Sequence, residues 1–427
     1  MKNIVCKFGG TSLSCAENIK KVFDITKNVG QKFIVLSAPG KRYESDTKIT
    51  DTLISIWQKA KEHKKFDKDF AIFKDRFEEI IRELNIDINL VDMLNDFLQN
   101  LSFSCDYDYI LSRGEYFMAR IFAKYTGFDF LDAKDFITFD SSGEVDLTLS
   151  QQKFELKINR NKRYVIPGFY GADKGGKIKT FSRGGSDITG AIVSLISNAK
   201  VYQNYTDVNG FKTANPKICP NSKVIKKMSY SEMRYLSYMG ANVLHPDCVK
   251  FLKENNITLN LRSTFKPLCS GTLIVPDKKI KHRGLVGISG KSDCVVITIK
   301  NFGIHADKDS LLNVYKTFDK NGAKIFFMHF GIDSISIALD EPKSCNIHQI
   351  KSSLKPLFDE VAVEKNISVI SVVGNDKKAF CKILPLIYNQ KEKPLFIAKS
   401  VDDILTTFAV SDFCYASLLP ILHQKLF

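Results

Sequence analysis

The sequence predicts an α/β protein in two parts: a sheet covered by helices on both faces, then two ferredoxin-like units. Three observations carry that expectation. Over the first 275 residues, short β-branched or apolar runs ending in glycine or polar residues alternate with longer segments of helical period, the pattern of a mixed layered fold. Beyond residue 283 an order of strand, helix, strand, strand, helix occurs and then recurs at about 70 residues, in architecture and not in sequence. The composition, 44% hydrophobic, 26% charged and 11% aromatic over 427 residues, is that of an ordinary globular protein and excludes disorder, collagen or coiled coil for its bulk. At roughly 100 to 200 residues per domain, two to four domains are expected.

The elements follow in order. Ile4 to Phe8, Phe33 to Leu36, Tyr164 to Ile166, Val201 to Tyr205 and Ile257 to Leu261 read as strands, several followed at once by Gly or Ser. Ala16 to Lys27, Lys48 to Ala60, Phe70 to Leu84, Cys105 to Tyr125, Ser186 to Asn198 and Ser229 to Met239 have the helical period. Leu273 to Arg283, with Pro276 and five charged residues, reads as a linker. After it come a strand at Cys294 to Lys300, a helix at Asp309 to Lys320, strands at Ala323 to Met328 and Ser334 to Leu339, and a helix at Cys345 to Leu357. The second round is a strand at Ser368 to Val373, a helix at Lys377 to Asn389, strands at Leu395 to Ala398 and Leu405 to Val410, and a helix at Phe413 to Leu426. The expected division is a first domain over 1–275, a linker over 276–284, and units over 285–365 and 366–427, with 412–427 able to complete the first of these.

The net charge of +15 admits nucleic acid, an anionic membrane surface or acidic small substrates. Lysines are spread over the helices without a long basic block or base-stacking motif, so small anionic substrates are expected and no nucleic acid or membrane partner. Ten scattered cysteines without a Cys-x-x-Cys pair fit reduced thiols. The opening apolar run is too short for a signal peptide, and no stretch of about 18 apolar residues spans a bilayer, so a cytoplasmic location is the expectation.

Chemistry concentrates at strand ends, where α/β sheets bind ligands. Lys7-Phe8-Gly9-Gly10-Thr11-Ser12 joins a strand to a helix: paired glycines let backbone amides approach an anion, and the lysine adds a point charge. The bland reading is a tight turn. Ser37-Ala38-Pro39-Gly40-Lys41 ends a second strand, and Thr50-Asp51 opens the next helix. Ser112-Arg113-Gly114-Glu115 places within a helix a glycine that costs about 1 kcal/mol relative to alanine, a sign of close approach by a ligand or by another helix, and Arg113 beside it, like Arg183, reads in this lysine-rich chain as a fork for planar bidentate recognition. Phe181-Ser182-Arg183-Gly184-Gly185-Ser186-Asp187 joins an arginine fork, two glycines and an acid at a helix start, against a plain capped helix with a surface arginine. Asn204-Tyr205-Thr206-Asp207-Val208-Asn209-Gly210 runs from strand into turn ahead of Lys212 and Lys217, either a nucleotide-binding rim or solvated lysines.

The ordered set Lys-Phe-Gly-Gly-Thr-Ser, Ser-Arg-Gly-Glu, Ser-Arg-Gly-Gly-Ser-Asp, Thr-Asp-Val and Gly-Ala-Asn-Val-Leu-His-Pro at 240–246 resembles the aspartokinases, ATP:L-aspartate 4-phosphotransferases, from residue 2 to 427. The resemblance implies a three-layer αβα sandwich of the amino-acid kinase type followed by two ACT domains of βαββαβ form, suggested here by Gly331-Ile332-Asp333-Ser334 and Val372-Val373-Gly374. It implies ATP with Mg²⁺ and L-aspartate as substrates, an amino-acid effector such as lysine or threonine, and a homodimer through the ACT domains. A sister amino-acid kinase, or a sensor with a decayed kinase half, is the alternative. Carried over by position, Lys7 and the backbone of Phe8, Gly9 and Gly10 hold the transferring phosphoryl group. Thr50, Glu115, Arg183 and Ser186 bind aspartate, Arg183 on the α-carboxylate and Glu115 on the α-ammonium. Asp187 orients the lysine, and Thr206, Asp207, Lys212 and Lys217 contact the nucleotide. The chain departs from the family at Lys212, where tyrosine is usual, at Lys217, where arginine is usual, and at Asn242, where lysine is usual. A carboxylate acceptor is already ionised at pH 7, so no general base is needed, and His245 reads as structural.

Overall fold

The computed structural model describes residues 3–27, 30–182, 184–240, 244, 246–280, 284–340, 345–376, 378–389, 393–402 and 404–427. Two compact units emerge. The first comprises Met1–Phe211, Lys226–Tyr230 and Val243–Lys279, and the second Lys212–Ile225, Ser231–Asn242 and Ile280–Phe427.

The first unit runs β1 (Ile4–Phe8), α1 (Ala16–Thr26), β2 (Gln31–Leu36), α2 (Ile49–Lys61), α3 (Asp67–Leu84), α4 (Leu90–Phe103), α5 (Tyr107–Thr126), β3 (Asp129–Phe130), β4 (Thr138–Phe139) and α6 (Leu147–Lys157). It continues with β5 (Tyr164–Pro167), β6 (Tyr170–Asp173), β7 (Ile178–Thr180), α7 (Gly185–Ile196), β8 (Val201–Thr206), β9 (Lys227–Ser229), α8 (Tyr230–Tyr238), which passes into the second unit, α9 (Pro246–Glu254), β10 (Thr258–Ser263) and β11 (Thr272–Val275). Eight strands form one sheet in the order β3-β5-β2-β1-β8-β10-β11-β9, parallel throughout except where β11 turns back on β10. The predicted linker is therefore partly strand: Leu273 and Ile274 face Asn260 and Leu259, and the apolar run Leu-Ile-Val outweighs the charges behind it.

Alternation along the strands sorts the faces. Cys6 and Phe8 of β1 and Ile34 and Leu36 of β2 bury against α1, α2, α3 and α5 in one large cluster. Val5 and Lys7 point to the opposite face, covered by α7. That gives helices on both sides of a mostly parallel sheet, the three-layer arrangement expected. Helix starts follow local chemistry: Asn89, Asp106 and Asp146 accept the amides of Asp92, Tyr109 and Leu149, which caps α4, α5 and α6. No described helix is long and apolar enough to cross a membrane.

The second unit holds β12 (Gly284–Lys300), α10 (Lys308–Lys320), β13 (Lys324–Phe330), β14 (Ser334–Asp340), α11 (Ile347–Leu354), β15 (Glu360–Asn375), α12 (Ala379–Tyr388), β16 (Phe396–Lys399), β17 (Leu405–Ser411) and α13 (Asp412–Leu426). Its sheet is antiparallel, ordered β13-β14-β12-β15-β17-β16. β12 and β15 are long strands shared by two ACT-like halves, and the register slips between Lys291 and Val296 mark where one half passes into the other. Val295, Ile297, Val314, Phe318, Ile350 and Leu354 build one core, so the later part of β12, α10, β13, β14, α11 and the start of β15 complete a βαββαβ unit. The closing helix α13 lies instead with α12, the later part of β15 and β17, through Leu418, Leu419 and Leu422 against Ile383, Ile370 and Phe408, and Ile288 of β12 joins them. The missing strand of that half is thus supplied by the segment before the other half.

Candidate active site

A cleft of about 990 Å³ opens at the carboxyl ends of β1, β2 and β5, where α2, α5 and α7 converge. Lys7, the fourth residue of β1, reaches it from the α7 face and is only 9% exposed. Its Nζ lies 2.7 Å from Asp187 Oδ1 in the first turn of α7, and Asn204 Nδ2 on β8 donates to the same oxygen at 2.8 Å. Asp187 is thereby fixed from two strands and Lys7 is held beside a helix N-terminus, where backbone amides favour anions.

The glycines after the strand differ in what they do. Gly9 has an ordinary φ of −77°, and a Cβ there would meet nothing closer than Lys7 Nζ at 3.5 Å. The fold does not require glycine at that place; the space a side chain would take is the space beside the lysine. Gly10 is required by the fold, since its Cβ would stand 2.9 Å from Ala38 O and 3.1 Å from Gly40 N. The Gly40 amide donates to Gly10 O at 2.8 Å, so the loop after β2 lies directly on the turn after β1.

Glu115, on α5, also lines the cleft. It is 5% exposed, the Ala38 amide bonds its carboxylate, and its Oε2 is buried without a hydrogen-bond partner. Burial pushes the carboxyl up to about 8, against the pull of the Ala38 amide and the charge of Lys7. A buried carboxylate oxygen without a hydrogen-bond partner, on a residue that lines a cleft, suits a cationic group of a ligand.

Of the residues singled out in the sequence, Lys7, Gly10, Thr50, Glu115, Ser186 and Asp187 line this one cleft. Phe8 turns its ring away, stacked on Tyr205 at 4.6 Å, so only its backbone faces the turn. Thr206 and Asp207 bond each other at the end of β8, next to β1, where the Tyr205 carbonyl accepts the Gly9 amide. Lys212 and Lys217 belong to the second unit, Lys212 half-buried and Lys217 exposed. Arg183, Asn242 and His245 lie outside the described residues, although both neighbours of Arg183, Ser182 and Gly184, line the cleft.

Arg113 corrects the sequence reading. Its guanidinium does not reach the cleft; it lies 4.3 Å from the rings of both Tyr109 and Tyr116 and donates to Ser112 Oγ. Gly114 serves close packing, its Cβ position being 2.8 Å from Ala38 Cβ. Sequence reasoning missed Phe169, which lines the cleft at a φ of +77°, unusual for a side-chain-bearing residue. The Ile-Pro-Gly end of β5, with Gly168 pressed on Ser186, was its only signal.

The model of the amino acid kinase family matches residues 2–263. Aspartokinase 3 of Bacillus subtilis is 30% identical over 87% of this chain and 86% of its own length. The chloroplastic aspartokinase 1 of Arabidopsis thaliana is 24% identical over all of this chain and 81% of its own. Among solved structures, the aspartate kinase of Clostridium acetobutylicum, described as an allosteric enzyme, superimposes over all of both chains with a TM-score of 0.93 at 33% identity.

Proposed function

Because this chain belongs to the aspartokinases, within the amino acid kinase family, we propose that the cleft between the Lys7 turn and Glu115 is where ATP and L-aspartate react. The protein is an ATP-dependent aspartate kinase: it moves the γ-phosphoryl group of ATP to the β-carboxylate of L-aspartate, giving 4-phospho-L-aspartate. The β-carboxylate oxygen forms the new P–O bond, the bond to the β-phosphate bridging oxygen breaks, and ADP leaves with that electron pair. The acceptor carries no proton at neutral pH, so catalysis is positioning of two anions and neutralisation of the charge that develops between them.

The observation that carries the assignment of roles is the presence of two features in one cleft. Lys7, fixed by Asp187, stands beside an unneeded glycine, and Glu115, whose buried Oε2 has no hydrogen-bond partner, lines the same cleft. In this reading Lys7 and the backbone of the Phe8-Gly9-Gly10 turn hold the phosphoryl group, and Asp187 orients Lys7. Glu115 takes the α-ammonium of aspartate, with Thr50, Ser186 and Arg183 around its carboxylates. Thr206 and Asp207 serve the nucleotide. No group of three or more His, Cys, Asp or Glu suited to a metal occurs among the described residues, so Mg²⁺ would arrive on the phosphates and neutralise their oxygens. We assign 1–275 to catalysis and 285–427 to regulation by an amino acid such as lysine or threonine, in a cytoplasmic homodimer joined through the ACT domains.

The test is ATP-dependent formation of an acyl phosphate trapped by hydroxylamine, with aspartate, glutamate and N-acetylglutamate compared. Aspartyl hydroxamate is expected. Turnover with glutamate or acetylglutamate alone would transfer the cleft to another amino acid, and no product with any of them would refute the reading. Titrating lysine, threonine and methionine into the same assay tests regulation, and an unresponsive enzyme would reject it.

A further inference from the structure

The loop between β2 and α2 is secured from behind by a side chain with no role in the reaction as assigned. Arg76, on the apolar stripe of α3 with Phe73, Phe77 and Ile80, is 2% exposed. Its Nη1 donates to the Gly40 carbonyl at 2.9 Å and its Nη2 to Asp46 Oδ2 at 2.6 Å. Asp46, also buried, accepts the Arg42 amide at 2.8 Å and Arg42 Nε at 3.0 Å. One planar guanidinium therefore ties the start of the loop to its end, which a lysine's point charge cannot do. Burial opposes ionisation of Asp46, but hydrogen bonds from Arg42 and the charge of Arg76 hold its carboxyl well below the usual carboxylate range.

Both functional walls hang on this loop. Gly40 lies so close on the turn after β1 that a Cβ on it would stand 2.6 Å from the Gly10 carbonyl carbon, and the Ala38 amide bonds Glu115. Stability alone is a poor reason for the arginine. A buried ion pair seldom outdoes an apolar residue of similar volume, and Arg76 Nε is buried without a partner.

We propose that Arg76 is a positioning residue for phosphoryl transfer, clamping Gly40 and Asp46 so that the Gly10 turn and Glu115 face each other at the separation the two substrates need. The proposal rests on the aspartate kinase reading above. Its test compares Arg76→Met, Arg76→Lys and Asp46→Asn with Arg82→Ala, an exposed change on the same helix, each assayed well below its own melting temperature. A misplacement of the order of 1 Å in a reacting constellation lowers turnover about 100-fold, so Arg76→Met should lose about that much in kcat/KM for aspartate, with kcat itself reduced at saturation. Arg76→Lys should recover part of the loss, and Arg82→Ala should match the wild type. Hydrogen exchange of the 37–48 segment should accelerate in Arg76→Met. If that variant does not fold, the isosteric Asp46→Asn is read by the same criteria. A folded variant with wild-type kcat and KM, or with unchanged exchange of the segment, overturns the proposal. A wild type inactive on aspartate would refute the proposed function, and the exchange comparison would then decide the clamp by itself.

Discussion

Glu115 makes the affinity for aspartate depend on pH in a direction that can be worked out. With its carboxyl raised to about 8 in the open cleft, roughly ten molecules in eleven carry it protonated at pH 7. The proposed partner, an ammonium, is bound by the carboxylate, so binding must first remove that proton. The apparent Kd then scales as one plus ten raised to the difference between 8 and the pH, which makes it about 25-fold weaker at pH 6.5 than at pH 8.5. At pH 7 the loss is about 1.4 kcal/mol. Close to one proton should be released per aspartate bound at that pH, seen as a difference in calorimetric enthalpy between phosphate and Tris buffers. Glu115→Gln should bind weakly and lose both the slope and the proton release. A Kd that stays flat from pH 6.5 to 8.5, or a slope that survives in Glu115→Gln, would refute the assignment of Glu115 to the ammonium. The same group has a signature without substrate. An acid raised on folding favours the folded state fully below its unfolded value of 4.5 and loses that contribution as pH rises through about 8, so Glu115→Gln should remove a part of the ligand-free protein's loss of thermal stability between pH 6.5 and 8.5.

Lys7→Ala should lower kcat by about 100- to 1,000-fold, the usual loss for one fixed donor to developing charge, in steady-state assays with coupled ADP detection. The two glycines of the turn should separate function from stability. Gly9→Ala is expected to melt like the wild type but lose most phosphoryl transfer, because its methyl makes only ordinary contacts, with the Tyr205 carbonyl at 3.7 Å and with the Lys7 amino group at 3.5 Å, where it takes space beside the lysine. Gly10→Ala, forced to within 2.9 Å of Ala38 O, should be destabilised by about 1–3 kcal/mol in thermal melts; equal behaviour of the pair would contradict the division of labour. Asp187→Asn should keep the hydrogen bonding of the site but release Lys7, lowering kcat more than ATP affinity, read from separate kcat and KM values.

How much was legible depended on how locally each feature is encoded. β1, β2, β5, β8 and β10 stood out because each is a compact apolar run with a glycine or polar stop. β3, β4, β6 and β7, of two to four residues, are too short to display a period. α6 was missed for a related reason: only Ser150 and Phe154 are buried along its eleven residues, so it carries almost no apolar stripe. β12 and β15 were read as half their length, since Gly287 and Gly290 interrupt one and Glu364 and Lys365 the other, and only their mutual pairing holds those stretches extended. The Lys7 turn was visible because its parts are adjacent in sequence. Arg113 misled because its ring partners, Tyr109 and Tyr116, are ordinary helix neighbours that gave no sign of enclosing it. Arg76 gave no sign because its acceptors lie 36 and 30 residues away.

The charge of the chain bears on how the cleft works. A net +15 invites the view that anionic substrates are drawn in by potential, yet the charged residues among those described along the cleft are three lysines, Lys7, Lys41 and Lys48, against three acids, Asp51, Glu115 and Asp187. Protonation of Glu115 leaves one positive charge in excess, and binding aspartate by its ammonium gives that charge back. The capacity to hold two anions side by side then rests on fixed geometry more than on local excess charge: a lysine immobilised at 2.7 Å by Asp187, amides at a helix start, and a turn braced by the loop on Gly10. Groups held in place before the substrates arrive need no reorganisation when charge shifts from ATP to aspartate. That explains why this surface invests buried ion pairs such as Lys7–Asp187 and Arg76–Asp46 in holding the walls of the cleft.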